Sequence, residues 1–328
     1  MFFLILWVLL SSVLLVFILA AMGLEENIML GIALTQIVGF FLPFLFYLLV
    51  TKQKPQLVLR FTPLGLKNTL LTIVLTIAVF PMVMLISTLS SLVFFPLIAE
   101  ITVDIVAHPI WFSLIIVALF PALFEEFMFR GAICKEYEGV PIKKASIITG
   151  LFFGIIHLNF HQGIYAAALG VLLGYVFYVT KSIWAPILMH FVNNGVAVLL
   201  SYIPEPAETY YYDVFSDIPE VVISLVVFGA GSLIMAPIVY LCLKHLRPHT
   251  PGPEDLPASP VEVPPYLQPQ PFQDSQAYPS AHAAAEAVAP PPRQKVFTWA
   301  FWATVGIFLF FGALVELGSR LIEMGFTY

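Results

Sequence analysis

Residues 110–131 read Ile-Trp-Phe-Ser-Leu-Ile-Ile-Val-Ala-Leu-Phe-Pro-Ala-Leu-Phe-Glu-Glu-Phe-Met-Phe-Arg-Gly, an apolar run with Glu125, Glu126 and Arg130 inside it. Roughly 20 predominantly apolar residues are what a helix needs to cross a bilayer. Ionisable groups within such a run are expensive, so each requires a partner or a task. On a helix Glu126 and Arg130 stand one turn apart on one face, the spacing of an ion pair. Glu125 points about 100° away and is left without that partner. A carboxylate held away from water is suited to taking and giving a proton. Pro121, one turn earlier, frees a carbonyl and loosens the helix.

The rest of the chain has the same character. Of its 328 residues, 60% are hydrophobic and 10% charged, with a mean hydropathy of +0.96. A soluble domain carries ~25% charged residues, and a disordered chain has low hydrophobicity, so both classes are excluded. Apolar runs recur near 1–22, 27–50, 68–97, 110–133, 145–160, 161–180, 183–202 and 220–243, with a ninth near 296–315. The expected fold is therefore an all-α polytopic transmembrane bundle of eight core spans plus a ninth. Residues 1–22 lack a basic leader and a small-residue cleavage site, and are read as a retained span.

Charge gives the orientation. With the N-terminus inside, cytoplasmic segments hold Lys52, Lys54, Arg60, Lys67, Arg130, Lys135, Lys143, Lys144, Lys181, Lys244, Arg247, Arg293 and Lys295, which is 13 of 14 Lys and Arg. Only Arg320 falls outside, as the positive-inside rule requires. The outer connections carry Glu25, Glu26, Glu100, Asp104, Glu205, Glu208, Asp213, Asp217 and Glu220. Three domains are expected: a membrane core over 1–246, a linker over 247–294 and a membrane anchor over 295–328. The linker holds 13 of 26 prolines and cannot bury a core. It reads as a cytoplasmic spacer, with docking of a Pro-binding partner as the alternative. Glu316, Arg320 and Glu323 have helical pairing distances at the end of the ninth span. The net charge of −6 and the lack of a basic run exclude a nucleic-acid partner. Cys134 and Cys242 have no metal or disulfide spacing.

Two further spans carry polar groups. In 150–157, Gly-Leu-Phe-Phe-Gly-Ile-Ile-His, Phe153 and His157 share a face and Gly150 and Gly154 permit close helix approach. In 186–195, Pro-Ile-Leu-Met-His-Phe-Val-Asn-Asn-Gly, His190 and Asn194 project together, with Asn193 as a substitute. By helical rise Glu125 and His190 lie ~10 Å from the cytoplasmic ends of their spans, and His157 ~18 Å from its own. The three are plausible walls of one cavity opening to the cytoplasm.

Glu125-Glu126-x-x-x-Arg130, Phe153-x-x-x-His157 and His190-x-x-x-Asn194, in that order within 110–200, resemble the three-motif signature of the CAAX protease and bacteriocin-processing family. These are intramembrane glutamic endopeptidases of the Abi type. The resemblance implies that Glu125 and His157 activate a water, that His190 and Asn194 stabilise the oxyanion, and that Glu126 and Arg130 form a supporting pair. Peptide hydrolysis needs a base, a proton donor for the leaving amine and donors for developing charge, and these groups supply all three. Zn²⁺ held by two Glu and two His is the mechanistic rival. With no HExxH present, the resemblance favours a reaction without metal or other cofactor. The expected partners are a peptide or membrane-protein substrate and the lipid bilayer, in a bacterial cell membrane. The alternative functions are a non-hydrolytic immunity or regulatory protein binding through the same cavity, and a proton-coupled transporter.

Overall fold

Helices apolar on every face have no face to turn toward water. In a bilayer, neighbours are chosen by close packing of small residues and by pairing of buried polar groups. The computed structural model describes residues 2–24, 27–96, 98–137, 139–203, 219–248 and 299–323. The helices are α1 (Phe2–Ala21), α2 (Ile28–Thr51), α3 (Pro55–Leu59), α4 (Gly65–Ser91), α5 (Ile98–Ala107), α6 (Ile110–Ile133), α7 (Ile142–Ile155), α8 (Phe160–Thr180), α9 (Trp184–Ser201), α10 (Glu220–His245) and α11 (Trp299–Glu323). Among the described residues there is no strand, and eight helices are long and apolar enough to span a membrane. The all-α polytopic bundle is borne out. The sequence boundaries of Glu25, Glu26, Glu205, Glu208, Asp213, Asp217, Arg293, Lys295 and nearly all of the Pro-rich linker lie outside the described residues.

One expected span is corrected. The stretch 145–160 is not a full crossing: α7 has 14 residues, ~21 Å of rise against a hydrocarbon core of ~30 Å. It stops because Leu158 turns into the left-handed region at φ 52°. Asn159 then caps the next helix, its side-chain oxygen accepting the Gln162 N–H at 2.8 Å. His157 therefore sits at the tight turn between two helices. The α7–α8 hairpin closes as the small residues suggested. A Cβ on Gly150 would lie 2.4 Å from the Val171 nitrogen, and one on Gly154 2.3 Å from the Gly163 carbonyl oxygen.

Wide π-type turns interrupt the two helices nearest the polar groups, at Thr35–Phe41 in α2 and at Leu114–Leu119 and Phe127–Ile133 in α6. Such turns shift the register of everything beyond them and cluster at functional sites. Gln36 lies in the first, and Glu125 and Glu126 lie between the other two. Around this centre α9 packs on α4, α6 and α8, while α10 lies along α4.

The described residues within 1–249 and 297–328 form one compact unit. Within it α11 rests on the hairpin. Phe301 meets Phe152 edge-on at 5.4 Å, and Gly312 lets the Phe160 ring come within 2.7 Å of where a Cβ would stand. Its Glu316 carboxylate accepts the Phe95 N–H at 3.0 Å and pairs with Arg320 at 2.6 Å. Arg320 also donates to the Val93 carbonyl at 2.7 Å, so α11 grips the turn after α4.

Candidate active site

A buried charge is tolerated only with a close opposite charge and filled hydrogen bonds. Glu126 and Arg130 supply each other's opposite charge, each with a fully buried side chain, Arg130 Nε lying 3.0 Å from Glu126 Oε2. Arg130 Nη2 donates to the Gly170 carbonyl at 2.9 Å, across the hairpin. Its guanidinium carbon stands 5.1 Å from the centre of the Phe153 ring. The other Glu126 oxygen accepts from His190 Nδ1 at 2.9 Å. The Glu126–Arg130 pair thus joins α6, α8 and α9.

Glu125 has a different neighbour, which the spacing on its own helix does not reveal. It is 6% exposed, and Gln36 Nε2 on α2 donates to its Oε1 at 2.7 Å. Sequence reasoning missed Gln36. The signal was there, an amide inside an apolar span, but no charge or motif marked it.

The imidazoles have assignable tautomers. His157 Nδ1 lies 2.8 Å from the Phe153 carbonyl, which can only accept, so Nδ1 carries the hydrogen and Nε2 of the neutral ring keeps a lone pair. His190 Nδ1 likewise donates to Glu126. The Phe153 ring stands between them, 5.4 Å from His157 and 5.6 Å from His190, edge-on to both. Asn194 Nδ2 donates to the Val117 carbonyl at 3.2 Å, and its Oδ1 accepts from Asn193 at 3.1 Å. The pair of amides therefore ties α9 to α6 as well as facing the cavity.

Glu125, His157, His190, Asn193 and Asn194 line one cavity of about 640 Å³, together with Gln36 and Phe153. Its walls extend to Leu19, Asn27, Thr102, Ile105 and Ser201. Those residues stand at the span ends remote from the Lys and Arg connections, whereas the sequence reading expected an opening on the Lys/Arg side. The reason is local: Met128, Phe129, Arg130, Ala132 and Ile133 are all fully buried and close the bundle beneath Glu125. Glu125 is ~12 Å from the closed end by helical rise. Cys134 is fully buried and is not part of the lining.

As a ligand set for Zn²⁺ the site fits poorly. Glu126 is committed to Arg130 and His190, and a dication beside it would face the guanidinium. Among the described residues no group of three or more His, Cys, Asp or Glu could hold a metal ion.

Residues 107–196 match the family described as type II CAAX prenyl endopeptidase Rce1-like. The chain is also 29% identical over 98 residues to the Bacillus subtilis (strain 168) protein named "Putative membrane peptidase YdiL", a stretch covering 30% of this chain and 39% of that one. The chain thus matches well under half the length of this relative. No solved structure matches. The matched segment contains Glu125, Glu126, Arg130, His157, His190 and Asn194, and both findings bear out the family resemblance carried by the three motifs.

Proposed function

We propose that this integral membrane protein is an intramembrane endopeptidase working by a glutamate-activated water, without a metal or other cofactor. The observation that carries the reading is the convergence of Glu125, His157, His190 and Asn194 on one cavity within the segment that matches a peptidase family. Glu125 and the His157 Nε2 lone pair accept hydrogen from the water as its oxygen bonds to the scissile carbonyl carbon. Asn194 and the His190 Nε2 face the oxygen on which charge develops. For His190 to donate there while Nδ1 donates to Glu126, the ring must carry both hydrogens, and Glu126 supplies the countercharge. As the C–N bond breaks, the proton held by Glu125 passes to the amine. The products are one new carboxyl and one new amino terminus.

With α7, though short, carrying the chain from the Lys143 and Lys144 side to the start of α8, the Lys and Arg distribution supports a cytoplasmic N-terminus and linker and an external C-terminus. The membrane we propose is that of a bacterial cell. In that orientation the cavity opens at the outer end of the bundle, so a peptide or membrane-protein substrate reaches Glu125 from there or from the surrounding lipid. In the same orientation the linker is cytoplasmic, and a Pro-binding partner is the proposed alternative to a plain spacer.

The test compares peptide termini in host membranes carrying wild type or Glu125→Ala at matched abundance. Termini formed only with wild type are the expected result, and they name the substrate and bond. Identical profiles would overturn hydrolysis in favour of a binding or immunity role.

A further inference from the structure

Two stripes of the cavity wall have helical spacing. On α1, Ser12, Leu15, Val16 and Leu19 fall at i, i+3, i+4 and i+7, which is one face of the helix. On α8, Gln162, Tyr165, Ala166 and Leu169 repeat that spacing. Each helix turns this face to the cavity and makes its packing contacts elsewhere, α1 on α2 and α11, α8 on α4, α7, α9 and α11. Val16 is 65% exposed although it lines the cavity, and the adjoining Phe17, outside the lining, is 69% exposed. Among the described residues the α1 wall is thus where the cavity meets the lipid-facing surface, ~8 Å from the end of that helix by helical rise.

The charge of the lining decides what enters. Among the described residues Glu125 is its one carboxylate, and it holds no Lys or Arg. Glu125 lies ~22 Å from the outer end of α6 by helical rise. An extended chain covers at most ~3.6 Å per residue, so an end within about six residues of the cut bond stays inside the bundle. A carboxyl end there would face Glu125 without a countercharge, and an amino end would pair with Glu125 and occupy the base. His190 is no substitute, since Glu126 balances its charge and its Nε2 faces the scissile carbonyl oxygen. Resting on the hydrolytic reading above, we infer that the substrate is a membrane-spanning helix that docks between α1 and α8 from the lipid and is cut at an internal bond remote from both its ends. For that bond to reach Glu125 the helical turns around it must open, which frees N–H and C=O groups that hydrocarbon cannot satisfy. Ser12, Thr35 and Gln162 line the same cavity with hydroxyl and amide groups that pair with them. An acyl chain offers such groups no partner.

The test uses the full chain in nanodiscs with the substrate named by the terminus comparison, reconstituted as the whole membrane-spanning helix and as a form ending three residues beyond the cut. The whole helix is expected to be cut, with kcat/KM about 100-fold lower on the short form, as for an unpaired charge in a dry site. Equal or faster cutting of the short form, or a mapped bond within about six residues of an end, overturns the inference and leaves the peptidase intact. Val16→Trp and Ala166→Leu narrow the slot from its two sides, and either suffices if the other fails to fold. KM for the whole helix is expected to rise about tenfold with kcat within about twofold, and an unchanged KM in a folded variant overturns the docking between α1 and α8. With Val16 replaced by p-benzoylphenylalanine in Glu125→Gln, illumination is expected to join it to the uncut helix; adducts to lipid alone, with the helix present, overturn the inference. Absence of any Glu125-dependent terminus with wild type overturns both readings, and is seen before Val16 or Ala166 is touched.

Discussion

Replacing Glu126 by Gln tests the densest polar junction in the molecule. The substitution is nearly isosteric, so it changes charge and leaves volume alone. Arg130 then keeps its bond to the Gly170 carbonyl and its place over Phe153, but loses the carboxylate 3.0 Å away with no water to replace it. Breaking a buried pair costs about 3–5 kcal/mol. The lower end applies here, because the Gln oxygen can still accept from His190 and the Gly170 bond survives. About 3 kcal/mol is roughly a hundredfold in the unfolding equilibrium. Adding Arg130→Met removes the orphaned cation and leaves chiefly the Gly170 carbonyl without its donor, a cost of ~1–3 kcal/mol. The double variant is therefore expected to be no less stable than Glu126→Gln alone, with a coupling energy of up to about 3 kcal/mol. The assay is reversible unfolding by SDS in mixed micelles, followed by helix signal and by tryptophan fluorescence. A cost below about 1 kcal/mol for Glu126→Gln, or a double variant as unstable as the sum of the two singles, would show that the pair is not desolvated and would refute the reasoning.

Glu125→Gln and His157→Ala are each expected to abolish formation of new termini while the SDS midpoint stays close to wild type; retained activity in purified Glu125→Gln would remove the base from Glu125. Gly154→Ala places a methyl 2.3 Å from the Gly163 carbonyl oxygen, so the hairpin must spread. Overpacking of this kind costs about 1–3 kcal/mol, and activity is expected to fall further than stability because the His157 turn moves with it. Gly312→Leu drives a side chain into Phe160, and Glu316→Gln weakens the hold on the Phe95 N–H. Both are expected to loosen α11 from the hairpin, read as faster hydrogen exchange at residues 156–163. Prolonged treatment with a strong chelator is expected to leave the rate of new-terminus formation unchanged; loss restored by Zn²⁺ would reverse the choice of mechanism.

Most of the architecture was legible in the chain because the determinants of a membrane span are local. A window of apolar residues marks each helix wherever the others lie, and the match is close for α1, α2, α6, α8, α9 and α10. The Glu126–Arg130 pair was visible for the same reason, since one helical turn separates its members. The early end of α7 was less visible. Nothing in Leu158 announces a positive φ, and the apolar run continues straight through it into the next helix.

What the sequence by itself determined is thus everything carried by one helix at a time: the class, the spans, the charge asymmetry and the three motifs. The tertiary structure alone decided the partner of Glu125 and which residues join it around the cavity. Gln36 reaches Glu125 from another helix, through a wide turn that resets the faces beyond it. The packing beneath Glu125 depends on a buried arginine held by a carboxylate, a carbonyl of α8 and an aromatic ring of α7. Contacts between residues far apart in the chain leave no periodicity behind them, so no pattern along a single strand of sequence records them.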